Sequence, residues 1–74
     1  MAHHSELEEL GELCLKVTEM QLLGLYWWHQ YNRRNEHVKA ISSVFRKRGF
    51  KSPRSTQLQY RDAKQLVDSI KEKE

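Results

Sequence analysis

A helix stop and a helix restart lie close together near the middle of this chain, and they constrain its fold more than any other feature. Gly49 suits the left-handed residue just past a helix end, and Phe50 can make the apolar contact that completes a Schellman ending. Ser52 and Pro53 then fit the N-cap and first position of a new helix. Five cationic side chains surround this corner: Arg46, Lys47, Arg48, Lys51 and Arg54. The sequence therefore predicts a sharp, positively charged corner between two helices.

The length of 74 residues allows one domain with a small core. Apolar residues recur at helical spacing along most of the chain, and no alternating strand pattern occurs. We therefore predict an all-α fold, a small bundle of three or four helices forming a single domain over residues 1–74. Residues 5–31 make up an acidic and aromatic helical half. Residues 36–71 make up a basic half in which the last two helices are arranged like a helix-turn-helix.

The first predicted helix has a clear beginning and an ambiguous end. Ser5 and Glu8 fit a capping box, so the helix is expected to begin at about residue 5. Thr18 and Gln21 fit a second capping box, so the helix either breaks there or continues to about Tyr31. A continuous helix would be roughly 40 Å long, which suits a dimer better than a compact monomer. We favour a break near residues 16–18.

The segment 20–31 is apolar around most of its circumference, which is typical of a central helix or of an interface. Trp27 and Trp28 point in directions about 100° apart, so a small core cannot easily bury both. We predict that one tryptophan lies in the core and that the other contacts a partner or a second copy. The candidate interface residues are Trp27, Trp28 and Tyr31.

The basic half contains two further predicted helices. Asn35 is the expected N-cap of the third helix, which covers residues 36–48, and the fourth helix is expected over residues 53–71. The first turns of the fourth helix then present four polar side chains outward: Arg54, Gln57, Arg61 and Lys64. Recognition helices use their N-terminal turns in this way, with Arg reading guanine and Gln reading adenine.

Residues 36–71 resemble a generic helix-turn-helix of the kind found in small phage, plasmid and bacterial regulators. The resemblance rests on the glycine turn between two amphipathic helices rather than on a diagnostic motif. It implies DNA binding in which Arg54, Gln57, Arg61 and Lys64 meet base edges or groove phosphates. The remaining basic residues of the corner, Arg46, Lys47, Arg48 and Lys51, are then expected to contact the phosphate backbone.

The charge distribution supports an anionic partner. Residues 1–31 carry five acidic side chains and one basic, whereas residues 32–74 carry twelve basic and five acidic. Such a division between halves indicates that one face meets an anion, either DNA or an acidic protein surface. Cations near a helix C-terminus are also favoured by the helix dipole, so a solvated basic face is the alternative explanation.

No pattern of residues suggests catalysis. Cys14 lies on the apolar stripe of the first helix, the histidines lack metal-ligand spacing, and no glycine-rich phosphate loop occurs. We expect no enzyme activity, no cofactor, no metal and no small-molecule substrate. The longest uncharged run, residues 20–32, is too short to cross a bilayer, so no membrane contact is expected. A single cysteine fits a reducing, cytoplasmic or nucleoid-associated setting.

The sequence thus predicts a small DNA-binding regulatory or accessory protein, with a homodimer formed through its N-terminal helices. The alternative is a protein-interaction module, a small adaptor or inhibitor. It would dock through the aromatic surface of residues 20–31 and the basic face.

Overall fold

The computed structural model describes the backbone of residues 2–72 and the side chains of residues 6–70. Within these residues the chain forms four α-helices and one short 3-10 helix, and no strand. The α-helices are α1 (Ala2–Lys16), α2 (Glu19–Tyr31), α3 (Asn35–Lys47) and α4 (Tyr60–Glu72), and the 3-10 helix is Pro53–Ser55. The predicted all-α bundle is confirmed, and it has four helices.

The break between α1 and α2 is a capping box at Thr18. The Thr18 side chain accepts a hydrogen bond from the Gln21 amide at 3.1 Å, and the Gln21 side chain accepts one from the Thr18 amide at 3.0 Å. The favoured break is therefore confirmed. The same Gln21 side chain donates to the Ser69 hydroxyl at 3.2 Å, so the cap of α2 is also tied to α4.

α2 is the central helix of the bundle, as its uniform apolarity allows. It packs against α4 on one side and α3 on another, while α1 packs against α3. Leu22, Tyr26 and Ile41 are buried at the centre of the core, together with Cys14 of α1. α2 and α4 approach closely at Gly24, where an added Cβ would overlap the Cβ of Leu66.

The end of α3 has the predicted Schellman geometry. Gly49 has a φ of 74°, in the left-handed region. Its amide donates to the Arg46 carbonyl at 3.2 Å, and the Phe50 amide donates to the Phe45 carbonyl at 2.9 Å. The rings of Phe45 and Phe50 meet edge to face at 6.1 Å. Local chemistry therefore fixes the stop, as the sequence predicts.

Two predicted helix starts are wrong. α1 begins at Ala2, so Ser5 lies within the helix and does not cap it. α3 begins at Asn35 with Arg34 in the N-cap position, so Asn35 is the first helical residue rather than the cap. Arg34 is placed by the end of α2: Arg33 adopts a left-handed φ of 58°, and the Arg34 amide donates to the His29 carbonyl at 3.0 Å. This second Schellman ending determines where α3 can start.

The last helix also begins later than predicted, at Tyr60 rather than Pro53. Ser52 and Pro53 do start a helix, but only the 3-10 turn Pro53–Ser55. The indole N–H of Trp27 donates to the carbonyls of Pro53 at 3.2 Å and Thr56 at 2.9 Å, oxygens that a continuing α-helix would use itself. Thr56 is accordingly extended. The predicted turn of about four residues is replaced by a longer segment over residues 48–59, here called the α3–α4 connection.

This arrangement changes the relation between the last two helices. α4 packs mainly against α2, whereas α3 packs against both α2 and α1, and α3 and α4 share no extensive contact in the described part of the chain. The first turn of α4 therefore does not follow the basic corner directly. None of the helices among residues 2–72 combines the length and apolarity that crossing a bilayer requires.

Candidate nucleic-acid interface

A shallow concave surface lies between α3 and the α3–α4 connection, and we call it the cationic cleft. Its rim carries the basic side chains of Lys39, Arg46 and Arg54. Its interior is lined by aromatic and hydroxyl side chains, chiefly Tyr26, Ser42, Phe45, Phe50 and Ser52. The cleft thus combines positive charge with hydrogen-bond donors and aromatic surface.

α3 supplies one wall through a single stripe of its surface. Lys39, Ser42, Ser43 and Arg46 follow one another at helical spacing and line the same concavity. The buried stripe of this helix, Ile41, Val44 and Phe45, fixes their direction by packing into the core. The amphipathic pattern of α3 therefore positions the basic wall.

The α3–α4 connection supplies the opposite wall, and α2 holds it in place. The Arg54 Nε donates to the Tyr26 hydroxyl at 3.3 Å, and this hydrogen bond raises the pKa of Arg54. The Trp27 indole holds the backbone of the same turn. Pro53, the first residue of this turn, is buried. Arg54 therefore projects into solvent from a turn with a fixed position.

Among residues 6–70, the cleft has no internal counter-charge. No acidic side chain lines either part of it among residues 6–70. Over the same residues, no Lys or Arg lies within 4.0 Å of an Asp or Glu carboxylate. The cations at the rim remain available to an external anion.

Arg48 has a different role from the one predicted. Its Nη1 donates to the carbonyls of Cys14 at 2.8 Å and Val17 at 2.7 Å, at the C-terminal end of α1. Its guanidinium also lies 4.7 Å from the centroid of the Phe50 ring. The prediction of a backbone phosphate contact at Arg48 is therefore corrected: this cation satisfies orphan carbonyls of α1 and joins α1 to the end of α3.

Replacing Arg48 by alanine is expected to lower the free energy of unfolding by about 2 kcal/mol, because two partly buried carbonyls lose a charged donor. Lys47→Ala is the matched control, since it removes the same charge from an exposed neighbour and should change stability by less than about 0.5 kcal/mol. Urea denaturation measures the free energy of unfolding of both variants. Equal losses in the two variants would contradict the structural role of Arg48.

The other predicted base-reading residues do not share one helix face. Arg54 lies in the 3-10 turn, and Gln57 lies in the extended part of the connection, where its amide donates to the Tyr31 hydroxyl at 3.3 Å. Arg61 and Lys64 are exposed on α4 and do not line the cationic cleft. The recognition-helix geometry predicted for these four residues is therefore wrong, because α4 begins after the first two.

Two predicted backbone contacts lie beside the cleft rather than in it. Lys47 is exposed at the end of α3. Lys51 is exposed and lines a neighbouring groove with Met20 and Leu23 of α2. Both extend the positive surface around the cleft.

The candidate interface aromatics have partners within the chain. Trp27 is half-buried under the connection, and Trp28 is half-buried beside Tyr60 of α4 with ring centroids 5.2 Å apart. Tyr31 is exposed, and its hydroxyl donates to the Leu58 carbonyl at 2.6 Å. The expected division into one core and one exposed tryptophan is not seen, because the connection covers one ring and α4 covers the other.

Two other titratable groups lie in the core. Burial raises the pKa of the Cys14 thiol to about 11, although Arg48 acts in the opposite direction, so the thiol is protonated at neutral pH. His29 stacks on His37 at 4.9 Å, and burial lowers the pKa of His29 to about 4. No group of three or more His, Cys, Asp or Glu side chains among the described residues could hold a metal ion.

The sequence prediction omitted Lys39, Ser42 and Tyr26 from the site. The spacing of Lys39 and Ser42 relative to Arg46 was an available signal, since all three fall on one stripe of α3. Tyr26 had no such signal, because its contact with Arg54 joins residues distant in the chain. Comparisons with family models, with curated proteins and with solved structures find no match to this chain.

Proposed function

We propose that this protein binds nucleic acid, with DNA as the first candidate, through phosphate contacts made by the cationic cleft. The observation that carries the proposal is the convergence of Lys39, Arg46 and Arg54 on one surface that no acidic side chain lines within the described part of the chain. Such a surface attracts a polyanion and releases its counterions on binding. The role is regulatory or accessory rather than enzymatic, in the cytoplasm or at the nucleoid.

The geometry favours backbone contacts over base reading by a helix. Arg54 and Gln57 precede α4, so they cannot enter a major groove as the first turns of that helix. The cleft presents guanidinium groups and hydroxyls, which are the groups that most often meet phosphate oxygens. We therefore expect affinity that depends strongly on salt and weakly on sequence.

The double variant Arg46→Ala/Arg54→Ala should weaken DNA binding about tenfold at about 50 mM salt, and should reduce the slope of log K against log salt by about 1 to 2. Fluorescence anisotropy with labelled DNA of about 20 nucleotides, as single strand and as duplex, measures both quantities. The matched control is Arg61→Ala/Lys64→Ala, which removes the same charge from exposed residues of α4. This control should lose clearly less DNA affinity than the cleft variant.

Two outcomes would contradict the proposal. One is the absence of binding to either form of DNA up to about 100 µM protein at about 50 mM salt, where non-specific affinity should already be measurable. The other is an equal loss of DNA affinity in the cleft and α4 variants, which would show that the cleft is not the binding surface. Thermal melting of each variant confirms that the fold is intact.

The second candidate function, a protein-interaction role, is favoured by the exposed apolar side chains at the α1–α2 corner. Leu15 is 55% exposed and Met20 is 53% exposed. Met20 shares a groove with Lys51, so apolar and basic surface adjoin there. An acidic protein partner, or a second copy in a homodimer, would use this surface. Poly-glutamate of matched length binding as tightly as DNA would favour this candidate.

A further inference from the structure

We infer that the cationic cleft takes an unpaired nucleotide, so that the protein prefers single-stranded over duplex nucleic acid. This inference rests on the proposed function and adds the class of ligand. The basis is the juxtaposition of Phe50, an aromatic side chain that remains partly accessible, with Arg46 and Arg54 in one small cleft.

The Phe50 ring has a fixed position and is only partly covered. The Schellman hydrogen bond to the Phe45 carbonyl fixes its backbone, and its ring meets the Phe45 ring at an interplanar angle of 73°. The Arg48 guanidinium lies over the ring at 4.7 Å. The half-buried ring nevertheless lines the cleft. A ring that is already ordered in this way loses little conformational entropy when a base stacks on it.

The polar groups around Phe50 suit the rest of a nucleotide. Arg46 and Arg54 can each donate to phosphate oxygens, and neither has a carboxylate partner among the described side chains. The hydroxyls of Ser42 and Ser52 line the same cleft and can hydrogen-bond a sugar or a phosphate. Aromatic stacking combined with a cationic track is the usual basis for binding single strands.

The size of the cleft argues for one flexible nucleotide. The part of the cleft that contains Phe50 has a volume of ≈ 300 Å³, which lies at the low end of the roughly 300–1,000 Å³ typical of small-molecule sites. A single nucleotide of an unpaired strand can turn its base into such a space. A duplex keeps its bases stacked and paired inside the helix, so it can offer only its phosphates to the rim.

The experiment compares a labelled single strand of about 20 nucleotides with the duplex of the same sequence, at equal salt. The single strand should bind about tenfold more tightly. Phe50→Leu should weaken single-strand binding about tenfold and thereby remove the preference for the single strand over the duplex, since leucine keeps the apolar volume without a stacking face. Phe50→Tyr should retain the affinity. Tyr60→Leu is the control, because it removes an exposed aromatic side chain outside the cleft.

The outcomes separate this inference from the proposed function. Equal or tighter binding of the duplex, or unchanged single-strand affinity in a folded Phe50→Leu protein, would overturn the inference while leaving nucleic-acid binding intact. A loss in Tyr60→Leu equal to that in Phe50→Leu would also overturn it, since stacking would then not be located in the cleft. Failure of both DNA forms to bind would instead contradict the proposed function itself.

Discussion

Replacing Gly24 by alanine is expected to lower the free energy of unfolding by about 2 kcal/mol, which corresponds to a fall of roughly 10 °C in Tm for a domain of this size. The added Cβ would overlap the Cβ of Leu66 and lie 3.3 Å from the Ala63 carbonyl oxygen. Neither atom is the free end of a flexible side chain, so α2 and α4 must move apart. This separation opens the interface between the central helix and its principal neighbour.

The expected loss of stability in Gly24→Ala is the difference between two opposing effects. Overpacking in a core costs up to about 3 kcal/mol, and alanine returns about 1 kcal/mol of helix propensity. Gly11→Ala is the matched control, because Gly11 lies in α1 with no atom within 4 Å of an added Cβ. That variant should gain about 0.5–1 kcal/mol. Thermal and urea unfolding measure both, and a stabilised Gly24→Ala protein would contradict the close packing of α2 on α4.

Acidification should destabilise the protein through His29, by about 3 kcal/mol between pH 6.5 and pH 4. Burial, together with the smaller effects of the nearby charges of His37 and Arg34, lowers the pKa of His29 to about 4. His29 is 7% exposed, so water screens it little. The Arg34 guanidinium lies 3.5 Å from the Nδ1 of His29 and can only donate, so a hydrogen bond between them requires this nitrogen to be unprotonated.

The sign of this pH effect on stability follows from the number of protons bound by the folded and unfolded states. The unfolded chain takes up a proton at His29 near the ordinary pKa of about 6.5, and the folded chain does so only near 4. The unfolded state therefore binds more protons between these values. The stability that depends on a neutral His29 is fully present above about pH 6.5 and is lost progressively as the pH falls towards 4. Urea unfolding at a series of pH values measures the slope.

Two variants test the assignment of this pH dependence. His29→Gln should flatten the slope between about pH 4.5 and 6.5, whatever its stability at neutral pH, since it removes the buried titrating group. His37→Gln should retain most of the slope, because burial is the main cause of the shift at His29. His37 lies 3.8 Å from Glu6, so its own substitution also removes that contact. An unchanged slope in His29→Gln would assign the effect to other groups.

The features that the sequence predicts correctly are those determined by neighbouring residues. The stop at Gly49 depends on Phe45, Arg46 and Phe50, and the break at Thr18 depends on Gln21 three residues later. The buried stripe of α3 is likewise visible in its spacing. Short-range hydrogen bonds and helical periodicity suffice for these elements, so four helices and an all-α fold could be predicted.

The features that the sequence does not reveal depend on contacts between distant residues. Ser52 and Pro53 signal a helix start, and nothing near them shows that Trp27 will take the carbonyls that the helix needs. The sequence does not distinguish the three consecutive cations Arg46, Lys47 and Arg48, yet in the fold only Arg48 points inward to α1. The predicted basic corner is present, although Arg48 faces α1, and the predicted recognition helix does not form because Arg54 and Gln57 precede α4.

The central position of α2 also has a consequence for cooperativity. α4 packs chiefly on α2, α3 packs on both α2 and α1, and the connection between α3 and α4 is held by side chains of α2. Loss of α2 would therefore remove the main packing partner of α4 and one of the two packing partners of α3. A chain organised around one element in this way should unfold in a single step, and a defect anywhere along α2 is transmitted to the walls of the cleft.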